Sequence, residues 1–124
     1  VNVLVWSGVL VLGGLGAVAR FLVDRSVARR TAGSFPFGTL VVNLSGALVL
    51  GFLTGLALPH EVALLAGTAL IGSYTTFSTW MLETQRLGEE RQARHAAANI
   101  FVSVSLGLMA AAAGMWLGMA VNGN

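Results

Sequence analysis

The residues able to do chemistry are polar groups embedded in apolar surroundings. Thr39 and Asn43 lie four apart in a largely apolar run from 37 to 58, so they share one face of a helix. The Asn43 amide offers both donors and acceptors. It could replace part of the water shell of a dehydrated anion, or it could hold the bundle together through an interhelical hydrogen bond. A denser run follows at Gly72-Ser73-Tyr74-Thr75-Thr76-Phe77-Ser78-Thr79-Trp80. Helical backbone opens at membrane depth only where protein or an ion satisfies its carbonyls. A glycine flanked by hydroxyl residues suits such a break, whose freed carbonyls could hold a hard cation such as Na⁺. Phe77 and Trp80, three apart, lie side by side. Their electropositive ring edges could guide an anion, and the same spacing also serves plain packing. Thr76 and Thr79 can satisfy local carbonyls or line a track. Glu83, four beyond Thr79, could end such a path at a vestibule, pair with an arginine, or stand as an interfacial charge. Asn99 and Ser103 begin a further stripe that continues through Gly107 and Ala111.

These groups need apolar helices to carry them. The chain has 124 residues, 56% hydrophobic and 10% charged, with a mean hydropathy of +0.80. A soluble domain usually carries about 25% charged residues, whereas a helix crossing hydrocarbon needs about 20 mostly apolar ones. The pattern predicts an all-α membrane protein of four transmembrane helices, near 3–23, 37–58, 62–83 and 96–119, with a break in the third. Together they form one transmembrane domain spanning 1–124. Residues 24–36 and 84–95 read as solvated connectors, with a tight turn at 59–61. Small residues recur at four-residue spacing, as in Ala47, Gly51 and Gly55, and in Gly107 and Ala111 with Gly114 and Gly118 nearby. Such stripes permit close helix approach in lipid.

All seven basic residues are arginines. Arg25, Arg29, Arg30, Arg86, Arg91 and Arg94 fall in the first and third connectors, with Arg20 at the adjacent span end. The opposite side has none. The positive-inside rule predicts cytoplasmic connectors and outward termini in a cell membrane. The net excess is only +2, without an aromatic-interleaved basic patch, so no nucleic-acid partner is expected. Cysteine is absent, which excludes thiol catalysis and disulfide scaffolds. No paired carboxylates, histidine cluster or activated nucleophile lies within a shared wet site, and His60 and His95 lie in connectors, so no enzyme is expected.

Three motifs together, Gly16-Ala17-x-x-Arg20, Gly38-Thr39-Leu40-x-x-Asn43 and Gly72-x-x-Thr75-Thr76-Phe77-Ser78-Thr79-x-x-x-Glu83, resemble the Fluc/CrcB fluoride-channel family over essentially the whole chain. The resemblance implies an antiparallel dimer that exports F⁻ passively across the lipid bilayer of a prokaryotic inner membrane, with a structural Na⁺ at the dimer interface. It implies that Gly72 and Thr75 give backbone carbonyls to the Na⁺, that Asn43 is the pore amide and that Phe77 belongs to the aromatic lining. Ser103 falls on the polar track of span four, and Arg20 sets the vestibule's positive potential beside Glu83. Thr39, Thr79 and Trp80 complete the expected anion path. The sequence departs from the family pattern at Ser73-Tyr74, at Trp80 where a second Phe is usual, and at Gly107 and Ala111 where hydroxyl residues are common. Both a homodimer and a heterodimer with an oppositely oriented homologue fit these residues. Two other classes match the size: a four-helix exporter of the small multidrug-resistance type, which needs an embedded carboxylate, and a noncatalytic assembly subunit, which leaves the Gly72–Thr79 run unexplained.

Overall fold

The computed structural model of the chain describes residues 2–123. Its elements are α1 (Val3–Arg30), α2 (Phe37–Leu56), α3 (His60–Ala63), a π-helical stretch (Leu64–Ile71), α4 (Gly72–Tyr74), α5 (Ser78–Glu89) and α6 (Ala93–Val121). Among the described residues four helical units are long and apolar enough to cross a membrane: Val3–Arg30, Phe37–Leu56, His60–Glu89 and Ala93–Val121. The third is assembled from α3, the π-helical stretch, α4 and α5.

Local chemistry sets most of the ends. The Asn2 side chain accepts the Val5 amide at 3.0 Å and caps α1. That helix has 28 residues, or about 42 Å of rise, which exceeds the roughly 30 Å of hydrocarbon. Its last turns therefore project beyond the bilayer core and carry Arg25, Arg29 and Arg30. This corrects the connector expected at 24–36: the chain stays helical to Arg30, and only residues 31–36 lie between helices. Likewise residues 84–89, read as link, continue α5. α2 closes on Ala57, in the left-handed region at φ 53°, and Pro59 precedes α3. The α5–α6 corner is tighter. Gln92 N–H donates to Leu87 O at 2.8 Å and Arg91 N–H to Gly88 O at 3.2 Å, the paired bonds of a Schellman ending. Arg91 takes the left-handed position at φ 60°.

The packing is that of a protein in lipid. Leu4, Leu10, Phe101 and Leu108 are exposed, while the largest fully buried side chains are Leu87, Val42, Asn99 and Thr39. Half of those interior groups are polar. α2 and α6 meet along a seam of glycines. A Cβ on Gly51 would strike Ala111 O, and one on Gly55 would strike Met115 O. On the facing helix, Gly114 lies against Leu48 O and Gly118 against Phe52 O. Gly107, expected on the same stripe, has nothing within 4 Å and stands outside the seam. Gly16 admits Leu70 O in the same way, bringing α1 against the π-helical stretch. The Phe35 and His95 rings, 6.4 Å apart, bring the first connector to the start of α6. The arginine-bearing segments thus share one end of the bundle.

Candidate functional site

The third span breaks between α4 and α5, where Thr75 turns extended at ψ 161°. In an uninterrupted helix Thr76 N–H would bond Gly72 O and Thr79 N–H would bond Thr75 O. Neither pairing forms. Thr76 N–H donates to Asn43 Oδ1 at 2.9 Å, and Thr79 N–H donates to Thr76 Oγ1 at 3.2 Å. Asn43 Nδ2 in turn donates to Thr76 O at 2.9 Å. The amide orientation is fixed by this network, because the Thr76 amide needs an oxygen and the Thr76 carbonyl a nitrogen. Asn43 therefore clamps the broken backbone as a neighbouring peptide group would. Its second Nδ2 hydrogen is uncommitted.

The clamp has consequences for the carbonyls. Across the break no backbone amide reaches Gly72 O or Thr75 O among the described residues. Gly72 O receives only a long contact from Thr75 Oγ1 at 3.5 Å, and that hydroxyl is also 3.3 Å from Ile71 O. Two oxygens released from helical pairing are suitable donors for a hard cation, so Gly72 and Thr75 fit Na⁺. Close approach of α2 holds the break in place: a Cβ on Gly46 would meet Thr75 Cγ2. Ser45 Oγ and Tyr74 Oη lie 2.9 Å apart and tie α4 to α2 as well.

Two cavities flank the break. One, about 290 Å³, is bounded by Asn43, Thr75, Thr76, Phe77 and Trp80 among others. The second, about 330 Å³, is bounded by Arg20, Asp24, Thr39, Thr76, Ser78 and Thr79. Thr76 borders both and is buried, so it stands between them. The expected path residues are thus divided: Asn43, Phe77 and Trp80 go to one side, Arg20, Thr39 and Thr79 to the other. Gly72 borders a third hollow next to the π-helical stretch. Ser103 and Glu83 border none of these. Among the described residues each nonetheless has a buried oxygen without a partner, Ser103 Oγ and Glu83 Oε1, as do Thr39 Oγ1 and Asn99 Oδ1.

Phe77 is 70% exposed. Its ring meets Trp80 nearly edge-on, with centroids 5.6 Å apart and planes at 78°. The sequence reading did not anticipate what Trp80 does with its N–H, which donates to Asn99 O at 2.9 Å. It also missed the Tyr74–Ser45 bond. The signal in each case was a side chain with a polar tip inside a span, which must find a partner.

These features define a multi-pass membrane protein whose third span is broken at a polar site gripped by the second. The comparisons narrow the class. The family described as CrcB-like protein, Camphor Resistance (CrcB) matches residues 7–115. The chain is 66% identical over 116 residues to the "Fluoride-specific ion channel FluC 2" of Mycobacterium tuberculosis strain H37Rv, covering 94% of this chain and 92% of that one. Its identity to the protein of the same name from Mycolicibacterium paratuberculosis is 67% over 120 residues, covering 97% and 98%. The "Fluoride-specific ion channel FluC 1" of Leifsonia xyli is 45% identical over 119 residues, covering 93% and 87%. This chain belongs to the CrcB family.

Proposed function

We propose that the chain is one subunit of a fluoride-selective channel that lets F⁻ leave the cytoplasm passively. The observation that carries this reading is the clamped break, which puts the Asn43 amide and the Phe77 ring beside one cavity. F⁻ is small and strongly hydrated, and a pore must return hydrogen bonds as water is stripped. Asn43 and the Phe77 ring on one side of Thr76, and the hydroxyls of Thr39 and Thr79 on the other, supply weak donors suited to entry and release. Arg20 sets an anion-attracting charge in the polar cavity, opposed by Asp24 on the same wall, and Glu83 lies four residues beyond Thr79. The naming of relatives such as the Mycobacterium tuberculosis protein as fluoride-specific ion channels supports the choice of ion. An F⁻ electrode following efflux from liposomes that carry the assembled protein tests it. Efflux must exceed that of protein-free liposomes, and equal rates would refute the channel.

In this reading Na⁺ sits at the centre of an antiparallel dimer, held by the carbonyls of Gly72 and Thr75, and supplies a fixed positive potential in a low-dielectric setting. Ion removal should be visible without any flux measurement. Exchanging Na⁺ for a bulky organic cation should lower the melting temperature of the purified dimer. A ligand present at about one hundred times its Kd stabilises by about 2.7 kcal/mol. Identical melting in both cations would remove Na⁺ from the proposal.

The arginine count bears on the partner. Arg25, Arg29, Arg30, Arg86, Arg91 and Arg94, with Arg20, lie toward one end of the bundle, against no arginine toward the other, and such a bias fixes orientation. The chain lies in the bacterial inner membrane with termini outside, and its antiparallel partner is an oppositely inserted homologue. The chain has no native cysteine, so single-cysteine labelling reads topology cleanly. Asn122→Cys should react from outside only, and Arg91→Cys from inside only. Labelling of each from both faces would make a homodimer the assembly.

A further inference from the structure

Trp80 offers an indole N–H, a donor with no acceptor function, and borders the cavity it shares with Phe77 and Asn43. Left free, that N–H would bind a passing anion and hold it. It is not free. It donates to Asn99 O at 2.9 Å, and the contact belongs to a closed set of bonds between α5 and α6. Asn99 Nδ2 donates to Thr84 Oγ1 at 2.9 Å and approaches Trp80 O at 3.4 Å. Thr84 Oγ1 donates to the same Trp80 O at 2.9 Å. Asn99 is almost wholly buried, at 1% exposure, so water does not compete for these bonds. A tryptophan held at its nitrogen by a neighbouring helix keeps one ring orientation. Phe77, by contrast, is largely exposed and follows directly on the break. Its aromatic neighbour within the chain is Trp80, met in the edge-on geometry that aromatic pairs favour.

We infer that Trp80 is a positioning residue, tethered through its indole N–H to Asn99 O so that it orients Phe77 toward the anion path and contributes no hydrogen bond to the ion itself. A phenylalanine at 80 would retain a ring there and lose the tether. The inference rests on the fluoride-channel reading for its flux arm, and on the tether alone for its spectroscopic arm.

The experiment combines a double-mutant cycle with a probe at Phe77. Liposomes carry the assembled dimer containing wild-type chain, Trp80→Phe, Phe77→Leu or both substitutions, and F⁻ efflux is recorded for each. Trp80→Phe should lower efflux about tenfold, equivalent to about 1.4 kcal/mol, with dimer elution unchanged. In the Phe77→Leu background the same change should cost nothing further. Independently, 4-fluorophenylalanine placed at 77 should give one sharp ¹⁹F resonance in the wild type and a shifted or broadened one in Trp80→Phe. Wild-type efflux from Trp80→Phe, a loss that is undiminished in Phe77→Leu, or an unchanged ¹⁹F resonance would each overturn the proposal. Absence of F⁻ efflux from the wild type would refute the channel reading instead, and the ¹⁹F comparison would still decide whether Trp80 orients Phe77.

Discussion

Asn43→Ala is expected to lower F⁻ efflux by about a hundredfold while the dimer still elutes as wild type does. The substitution deletes both bonds that hold Thr76, each 2.9 Å long, together with the amide of a residue that borders the cavity. A net hydrogen bond contributes about 0.5–1.5 kcal/mol, and leaving a buried partner unsatisfied costs about 1–3 kcal/mol. Losing two such bonds costs the broken conformation up to about 3 kcal/mol, so the population of the conducting arrangement falls by as much as about a hundredfold. Thr76 N–H then becomes available to Gly72 O, so the break can partly close. Asn43→Asp separates the contributions, since it keeps the acceptor for Thr76 N–H, loses the donor and places negative charge on an anion path. Its efflux should fall at least as far. Efflux within twofold of wild type in Asn43→Ala would assign the residue to helix packing alone.

Gly114→Val is expected to prevent formation of a stable bundle. A Cβ there would run into Leu48 O and lie 2.9 Å from Phe52 N, and backbone cannot move aside as a flexible side-chain end can. Overpacking of a well-fitted contact costs about 1–3 kcal/mol. Val adds two further methyls to the Cβ that already clashes, so the upper end or beyond applies. The measurement is thermal unfolding of the detergent-purified protein, with Gly107→Ala as control because nothing approaches that position within 4 Å. Gly114→Val should yield aggregated protein or a much lower melting temperature, and Gly107→Ala should match the wild type. Equal melting in the two variants would contradict the seam.

Long apolar runs made the four helices legible in the sequence, because span length and hydropathy are set by the bilayer rather than by packing details. Helix ends were less legible. α1 continues through Asp24 and Arg25 to Arg30, since charged side chains end a membrane span without ending a helix. The break was readable from Gly72 and its hydroxyl neighbours, but its support was not. Asn43 and Thr76 are 33 residues apart, and no periodicity connects a side-chain amide on one span to a peptide group on another. The small-residue stripes showed that helices come close without showing which glycines do so, and Gly107 lies outside the seam that Gly114 and Gly118 form. Trp80 was readable as an aromatic wall. Its tether to Asn99 depends on the angle between α5 and α6, which local sequence does not encode.

Selectivity for F⁻ is decided by paired efflux recordings with F⁻ and Cl⁻ electrodes. The measurement uses liposomes loaded with both anions and carrying the assembled dimer, with its oppositely inserted homologue if labelling shows a single orientation. F⁻ is expected to leave rapidly while Cl⁻ loss stays at the level of protein-free liposomes. Comparable F⁻ and Cl⁻ rates would contradict that selectivity.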